Sequence, residues 1–255
     1  MFYQFNLELT SNIFNELVNE INFELVAKGR FGANCFHSVN NAIPLVRTTT
    51  IYSNPIQKFT QPCNLISNQI KSHAKQIFNI DVGELNNGLV EIYSHEYKTM
   101  GFHSDQALDL KSNSWICICS IYSNPELISS TRKLVVQSKL TGTQQEYELT
   151  HNSIIMFNTN TNNTYIHKIV LSNPNAKPNP NKWLGITFRT SKTFVKFVNS
   201  KPFISDTMNE LVLASEQEKK EFYTMRSQEN KSISFAYPYI NYTISPSDLV
   251  NPHFI

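Results

Sequence analysis

The stretch GLVEIYSHEYKTMGFHSD, Gly88 to Asp105, joins a β-type run to a histidine and an aspartate two residues apart. Its first seven residues are mostly apolar and follow the turn-forming pair Asn86-Asn87, which predicts a buried strand. The H-x-D triplet at its end, His103 to Asp105, is weak evidence on its own, because many chains contain one as an ordinary polar turn. What the triplet means therefore depends on the rest of the chain.

More β-type runs follow this stretch, separated by turn-forming residues. They are SWICICSIY, RKLVVQSKL, QEYELT, SIIMFN, TYIHKIVL, WLGITFR and TFVKFV. Two amphipathic helices are predicted before them, one capped by Ser11 and one beginning at Pro62, and a third helix is predicted over MNELVLASEQEKKEFYTMR after Asp206. About eight closely spaced strands with flanking helices predict a mainly β fold, either an antiparallel barrel or a two-sheet roll.

The composition is typical of a folded globular protein, since 40% of the 255 residues are apolar and 12% are aromatic. We expect a single domain over residues 1–255. Within it we expect an N-terminal helical or extension region over about 1–80, a β-core over about 85–200, and a C-terminal helix and tail over about 205–255. A monomer is the expected state.

The start of the chain has no signal-peptide pattern, and no apolar run reaches membrane-spanning length. The four cysteines form no C-x-x-C pair, so buried free thiols are expected rather than a metal site or disulfides: Cys35, Cys63, Cys117 and Cys119. We therefore expect a soluble intracellular protein, cytoplasmic or nuclear, that does not engage a membrane.

The net charge of +2 decides little, but the charges are unevenly distributed along the chain. No acidic residue lies between Glu148 and Asp206. The same span contains seven basic residues: Lys168, Lys177, Lys182, Arg189, Lys192, Lys196 and Lys201. A solvated basic face and a nucleic-acid footprint would both produce this pattern, and the sequence leaves both open.

Two later residues give the H-x-D triplet a context. His167 stands in the run TYIHKIVL, and Arg189 ends the run WLGITFR. His103, Asp105 and a distant His167, followed by an arginine, are the order expected for a non-haem Fe(II) facial triad, which leaves open positions on the metal. 2-Oxoglutarate would fill two of these positions and O2 the third. The guanidinium fork of Arg189 suits the far carboxylate of 2-oxoglutarate.

These segments together resemble the AlkB-like branch of the 2-oxoglutarate/Fe(II) dioxygenases, over roughly Pro44 to Phe197. The segment RTTTIY from Arg47 is similar to the family's R-x-T-x-x-Y, and ITFR matches its closing T-F-R. The resemblance implies a double-stranded β-helix core of the jelly-roll type. It also implies that Tyr93, ten residues before the first ligand, helps to bind 2-oxoglutarate together with Thr187 and Arg189.

The last strand departs from the family pattern at the co-substrate clamp. The family usually opens this strand with Arg-x-Asn, where this chain has Trp183-Leu-Gly185. One of the two expected arginines is therefore absent. Either Arg189 holds 2-oxoglutarate with less help, or Lys182 supplies the second positive charge.

Other departures concern the substrate. Glu91 stands where the family often has an asparagine, and Gln106-Ala107 replace an acidic residue that often recognises substrate, which leaves Asp109 as the nearest candidate. The resemblance implies oxidative demethylation of N-alkylated DNA or RNA. A hydroxylase of a protein or small molecule on the same scaffold is the alternative within enzymes, and a catalytically silent β-roll that binds a partner is the alternative outside them.

Overall fold

The computed structural model describes residues 1–10, 12–38, 42–127 and 131–252. Ser11, the predicted cap of the first helix, lies outside these ranges. The strands are β1 (Tyr3–Asn6), β2 (Glu24–Ala27), β3 (Arg30–Phe36), β4 (Ile43–Leu45), β5 (Gln57–Lys58), β6 (Asn87–Tyr93), β7 (Trp115–Tyr122), β8 (Arg132–Ser138), β9 (Gln144–Leu149), β10 (Ser153–Asn158), β11 (Tyr165–Leu171), β12 (Trp183–Arg189), β13 (Thr193–Val198), β14 (Lys201–Ile204), β15 (Val212–Leu213) and β16 (Tyr242–Thr243). The helices are α1 (Ile13–Glu20), α2 (Gln61–Phe78), α3 (Thr159–Thr164) and α4 (Glu216–Lys231).

Two sheets face each other across the centre of the molecule. The larger sheet has the order β1-β10-β7-β12-β6-β3-β2, and the smaller sheet has the order β11-β8-β9. The segment from Thr99 to His103 extends the smaller sheet, because both residues pair with β11. The predicted mainly β fold with flanking helices and a jelly-roll core is confirmed, and all eight predicted β-type runs are strands of it.

The alternation of side chains along β7 divides the apolar interior into two layers. Ile116 and Ile118 face the smaller sheet and pack between the two sheets. Cys117 and Cys119 face the other way, against helices α1 and α2, where Leu17 is fully buried. The cysteines of the chain are buried free thiols, as the sequence predicts.

Helix α2 has clear end signals in the sequence. The Thr60 hydroxyl accepts a hydrogen bond from the Cys63 N–H, and Pro62 occupies the first turn, where its missing N–H costs nothing. The helix ends at Asn79, which adopts a left-handed conformation with φ of 56°. These signals set the two ends of the helix. The helix packs on the outer face of the larger sheet.

The predicted C-terminal helix begins later than expected. Val212 and Leu213 form the short strand β15 beside β16, and the helix starts at Glu216. The reason is local, because Ser215 and Glu218 form a capping box that sets the first turn. Within the described residues, no helix is long and apolar enough to cross a membrane.

Candidate metal centre and its cavity

His103 and His167 lie opposite each other on paired backbone segments. The His103 N–H donates to the His167 carbonyl at 2.9 Å, and the His167 N–H donates back at 2.6 Å. Side chains of such a pair leave the sheet on the same side, and the two imidazole centroids lie 4.6 Å apart. Nδ1 of His103 lies 2.9 Å from the Gly101 carbonyl oxygen. This contact assigns the proton to Nδ1 and leaves Nε2 free for a metal.

Asp105 is held through both its backbone and its side chain. Its N–H donates to Asn162 Oδ1 at 2.8 Å, and Asn162 Nδ2 donates back to the Asp105 carbonyl at 2.7 Å. Asn162 lies on the short helix α3, which joins β10 to β11. The Arg189 guanidinium donates to both carboxylate oxygens, from Nε at 3.0 Å and from Nη2 at 3.1 Å. The carboxylate therefore has a fixed orientation.

The three predicted ligands converge. One ligand atom from each of His103, Asp105 and His167 lies within 4.8 Å of the others. Burial lowers the pKa of His167 to about 4, and burial together with the neighbouring His167 lowers the pKa of His103 to about 3. Burial acts to raise the pKa of Asp105, but Arg189 and His167 outweigh it and hold that pKa well below its usual range. Two neutral imidazoles and one carboxylate fit a divalent iron site with open positions.

These side chains line a cavity of about 360 Å³ between the two sheets. Part of its wall is apolar and comes from both sheets: Leu89, Ile118 and Ile169. Three guanidinium groups and two carboxylates also line it: Arg30, Arg189, Arg226, Glu91 and Asp105. The surplus of positive charge in this cavity favours an anionic ligand, even before a metal ion adds to it.

Helix α4 closes one side of this cavity and holds the backbone between the ligands. Arg226 and Asn230 line the cavity. Asn230 Oδ1 accepts from the Ser104 N–H at 2.9 Å, and Arg226 Nη1 donates to the Ser104 carbonyl at 2.7 Å. On the same helix, Glu229 accepts from the Ala107 N–H at 2.8 Å. The sequence predicts a C-terminal helix but no role for it in the site.

The predicted co-substrate residues divide into two groups. Arg189 and Thr187 line the cavity. Tyr93 and Lys182 do not belong to its described lining. The Tyr93 hydroxyl instead donates to Glu91 at 2.7 Å, and its ring packs 4.8 Å from that of Trp183.

Lys182 is exposed and precedes β12, whereas Arg189 ends that strand. Arg189 is the seventh residue after Lys182, which corresponds to roughly 23 Å along a strand. The structure therefore does not bring Lys182 to the cavity, as a second co-substrate cation would require.

The Asp109 carboxylate is paired with an arginine of the chain and is therefore not free to contact a substrate. Its side chain is fully buried, and its two oxygens accept from Arg47 Nε at 3.0 Å and Nη2 at 2.7 Å. Arg47 also donates to the carbonyls of Ile240 and Tyr242, which ties the C-terminal tail to this pair. The expectation that Asp109 recognises substrate is not supported by this position.

The cavity also contains an ion pair that sequence analysis missed. Arg30 donates to Glu91 Oε1 from Nε at 2.6 Å, and its Nη2 lies 2.5 Å from the same oxygen. Arg30 lies on β3, which pairs with β6 and brings it beside Glu91. The only sequence signal was the presence of Glu91 at a position where an asparagine is expected.

The basic residues of the span are distributed over several elements of the fold. Lys168 lies on β11, Arg189 on β12, Lys196 on β13 and Lys201 on β14, and these strands belong to three different sheets. Arg189 is buried against Asp105. Lys168 does reach the edge of the cavity, since its Nζ lies 4.4 Å from the centre of the Phe102 ring, and Phe102 lines the cavity.

Comparison with known proteins matches the chain to one family. A family model described as the 2OG-Fe(II) oxygenase superfamily matches residues 35–189. Among solved structures, that of OsALKBH1 aligns at 14% identity and a TM-score of 0.40, over 64% of this chain and 78% of that chain. A Pseudomonas putida prolyl-4-hydroxylase aligns at 11% identity and a TM-score of 0.42, over 74% and 91%. Likenesses at this level carry no argument about substrate. No curated protein matches the sequence significantly.

Proposed function

This chain belongs to the 2OG-Fe(II) oxygenase superfamily, and on that premise we propose that His103, Asp105 and His167 hold its Fe(II). The observation that carries the proposal is the convergence of these three side chains within 4.8 Å. Their donor set, two imidazole nitrogens and one carboxylate oxygen, suits Fe(II) and leaves coordination positions open for other ligands.

The chain is a 2-oxoglutarate/Fe(II)-dependent dioxygenase. Iron, 2-oxoglutarate and O2 together supply an oxidant that places one oxygen atom on a substrate C–H carbon, while the other leaves in succinate as CO2 is lost. The protein's own residues hold the metal ligands in place. Arg189 holds the Asp105 carboxylate ionised and in one orientation, and helix α4 holds the backbone between the ligands through Ser104.

For the substrate, we infer an N-alkylated single-stranded nucleic acid, which an AlkB-like enzyme would demethylate. Hydroxylation of an N-methyl group gives a hydroxymethyl group, which decomposes to formaldehyde and the bare amine. Three features support this substrate: the AlkB-like order of motifs, the positive surplus of the cavity, and the Phe102–Lys168 pair at its edge. An aromatic ring beside a cation is suited to stacking on a nucleobase that has been turned out of its strand.

A hydroxylase of a peptide or small anionic molecule is the second candidate. The distribution of the basic residues over three sheets favours it, because a long polyanion needs a continuous basic surface. The Arg30–Glu91 pair also gives the cavity a polar wall, which would suit a small substrate with both donor and acceptor groups.

The test is a panel of substrates with succinate and formaldehyde as readouts. We expect N-methylated single-stranded DNA or RNA to stimulate succinate release above unmodified oligonucleotides, peptides and metabolites, and to yield formaldehyde. Phe102→Ala should reduce this stimulation by roughly tenfold, because base stacking contributes about 1–3 kcal/mol. Tyr223→Ala, an exposed ring on α4, is the matched control. If peptides or metabolites stimulate turnover while every oligonucleotide stays at background, the hydroxylase is the correct assignment.

A further inference from the structure

Arg132 is a charged side chain in the apolar interior between the two sheets. It begins β8, where it pairs with Leu171 of β11, and only 1% of it is exposed. Leu134 and Val136, two and four residues further along the strand, share its face and pack in the same interior. The guanidinium group therefore projects inward, toward the strands of the larger sheet.

The guanidinium group of Arg132 has no anionic partner within the part of the chain that the structure describes. Nη2 donates to the Ser94 carbonyl at 2.8 Å, and Cζ lies 5.0 Å from the centre of the Tyr93 ring. Nη1 is buried and has no hydrogen-bond partner among the described residues. Burial lowers the pKa of Arg132 to about 10, a value at which the group is still charged at neutral pH.

The other deeply buried arginines of the described chain are both compensated. Arg47 donates to both oxygens of Asp109, and Arg189 donates to both oxygens of Asp105. A buried charge without a counter-ion is strongly unfavourable, and proteins normally pair it. Among the described residues, Arg132 is the buried arginine without a carboxylate partner, which makes it a candidate to bind an anion from outside the chain.

Two further polar atoms, which have no hydrogen-bond partner in the described ranges, lie on the strand face opposite Arg132. They are Nε1 of Trp183 and Oγ of Ser120, and both are buried. The Trp183 ring packs on Tyr93, as the Arg132 guanidinium does. Ser120 pairs with Gly185, and so it lies one position further along the same inward face. Both atoms can donate a hydrogen bond, which suits an acceptor such as a carboxylate.

This group of donors lies one layer of side chains beyond the metal cavity. His167 and Ile169 line the cavity, and Leu171, the partner of Arg132, follows on the same face of β11. Two strand residues correspond to roughly 7 Å. Tyr97 also lines the cavity, and its ring lies 4.6 Å from the Tyr93 ring on which Arg132 packs.

We propose that Arg132 holds the carboxylate of 2-oxoglutarate that is farthest from the metal. This inference rests on the proposed function of the metal site. The family's usual cation at the start of the last strand is replaced here by Trp183, and Arg132 supplies the charge from the facing sheet instead. Arg132 does not line the cavity in this structure, so binding of this carboxylate requires side chains at this end of the cavity to move.

The test compares two acids that differ only at the far carboxylate. 2-Oxoglutarate and 2-oxopentanoate, which has a methyl group there, are titrated by calorimetry into the Mn(II)-loaded protein. We expect the wild type to bind 2-oxoglutarate roughly 30-fold or more tightly, the size expected for a buried charge pair. In Arg132→Met this preference should fall to about threefold or less, with Arg132→Lys intermediate because it keeps the charge but loses the fork.

Other variants separate the possible outcomes. Arg30→Met removes the cavity cation that pairs with Glu91, and Lys182→Met removes the cation that the sequence suggested. Arg132→Met should also unfold at a temperature no lower than the wild type without 2-oxoglutarate, since it removes an unpaired buried charge. The inference is wrong if both Arg132 variants keep the full preference for 2-oxoglutarate over 2-oxopentanoate, or if Arg30→Met alone loses it. Neither result contradicts the assignment of the metal site. A Mn(II)-loaded wild type that binds neither acid overturns the proposed function as well.

Discussion

The Arg189 guanidinium donates hydrogen bonds to both oxygens of the Asp105 carboxylate, at 3.0 and 3.1 Å. Both side chains are buried, so the pair is little screened by water. A metal ion that binds Asp105 must share its charge with Arg189. The position and basicity of this ligand therefore depend on an arginine that the sequence pattern assigns to the co-substrate.

Arg189→Lys keeps the positive charge but loses the two-pronged contact. We expect the affinity for Mn(II) to fall by roughly 10- to 100-fold, the usual effect of removing a group that orients a metal ligand. Electron paramagnetic resonance of free Mn(II) measures this affinity directly, with Lys196→Met as an exposed control. Unchanged metal affinity with a loss of 2-oxoglutarate binding would return Arg189 to the role of co-substrate clamp.

Glu229 on helix α4 gives a prediction about pH. Burial raises its pKa, and its carboxylate accepts from the Ala107 N–H and the Tyr237 hydroxyl. A carboxyl group with a raised pKa in the folded state favours folding in its protonated form, so its contribution to stability declines as pH rises through that pKa. The melting temperature of Glu229→Gln relative to wild type should therefore increase from pH 4.5 upward and then level off.

The exposed Glu221, eight residues before Glu229 on the same helix, provides the control for this series. Glu221→Gln should show no such trend with pH. A relative melting temperature of Glu229→Gln that falls as pH rises would mean that the folded protein stabilises the ionised carboxylate.

The buried Arg47–Asp109 pair predicts a large and non-additive effect on stability. Arg47→Met leaves the fully buried Asp109 carboxylate without its partner and should cost about 3–5 kcal/mol of unfolding free energy. Adding Asp109→Leu should restore part of that loss, because the unpaired charge is then gone. Urea denaturation of the two single variants and the double variant measures the coupling. Additive losses would show that the two residues contribute independently.

The parts of the molecule that follow local patterns could be predicted from the sequence. The eight β-type runs each carry their own apolar content and turn residues, and the start and end of α2 are marked by Thr60 and Asn79. The grouping of His103, Asp105 and His167 also followed from their order along the chain, because the metal chemistry limits which residue types can act together.

Contacts between distant segments could not be predicted in this way. Strand β3 has the sequence RFGANCF, which shows no clear alternation, and its position is set by its pairing with β6. The contact of Arg226 with Ser104 joins residues 122 positions apart. Arg132 gave no signal, because an arginine at the start of a strand is usually exposed, and only the folded interior shows that this one is buried with no carboxylate partner among the described residues.

The most direct measurement is the binding of Mn(II) to His167→Ala. Wild type should bind one Mn(II) ion per chain, and His167→Ala should lose this binding and all 2-oxoglutarate turnover while keeping the wild-type circular dichroism spectrum, because it removes one of three ligands. His37→Ala, an exposed histidine outside the site, should bind the metal normally. Undiminished Mn(II) binding by a folded His167→Ala would contradict the assignment of His103, Asp105 and His167 as the metal centre.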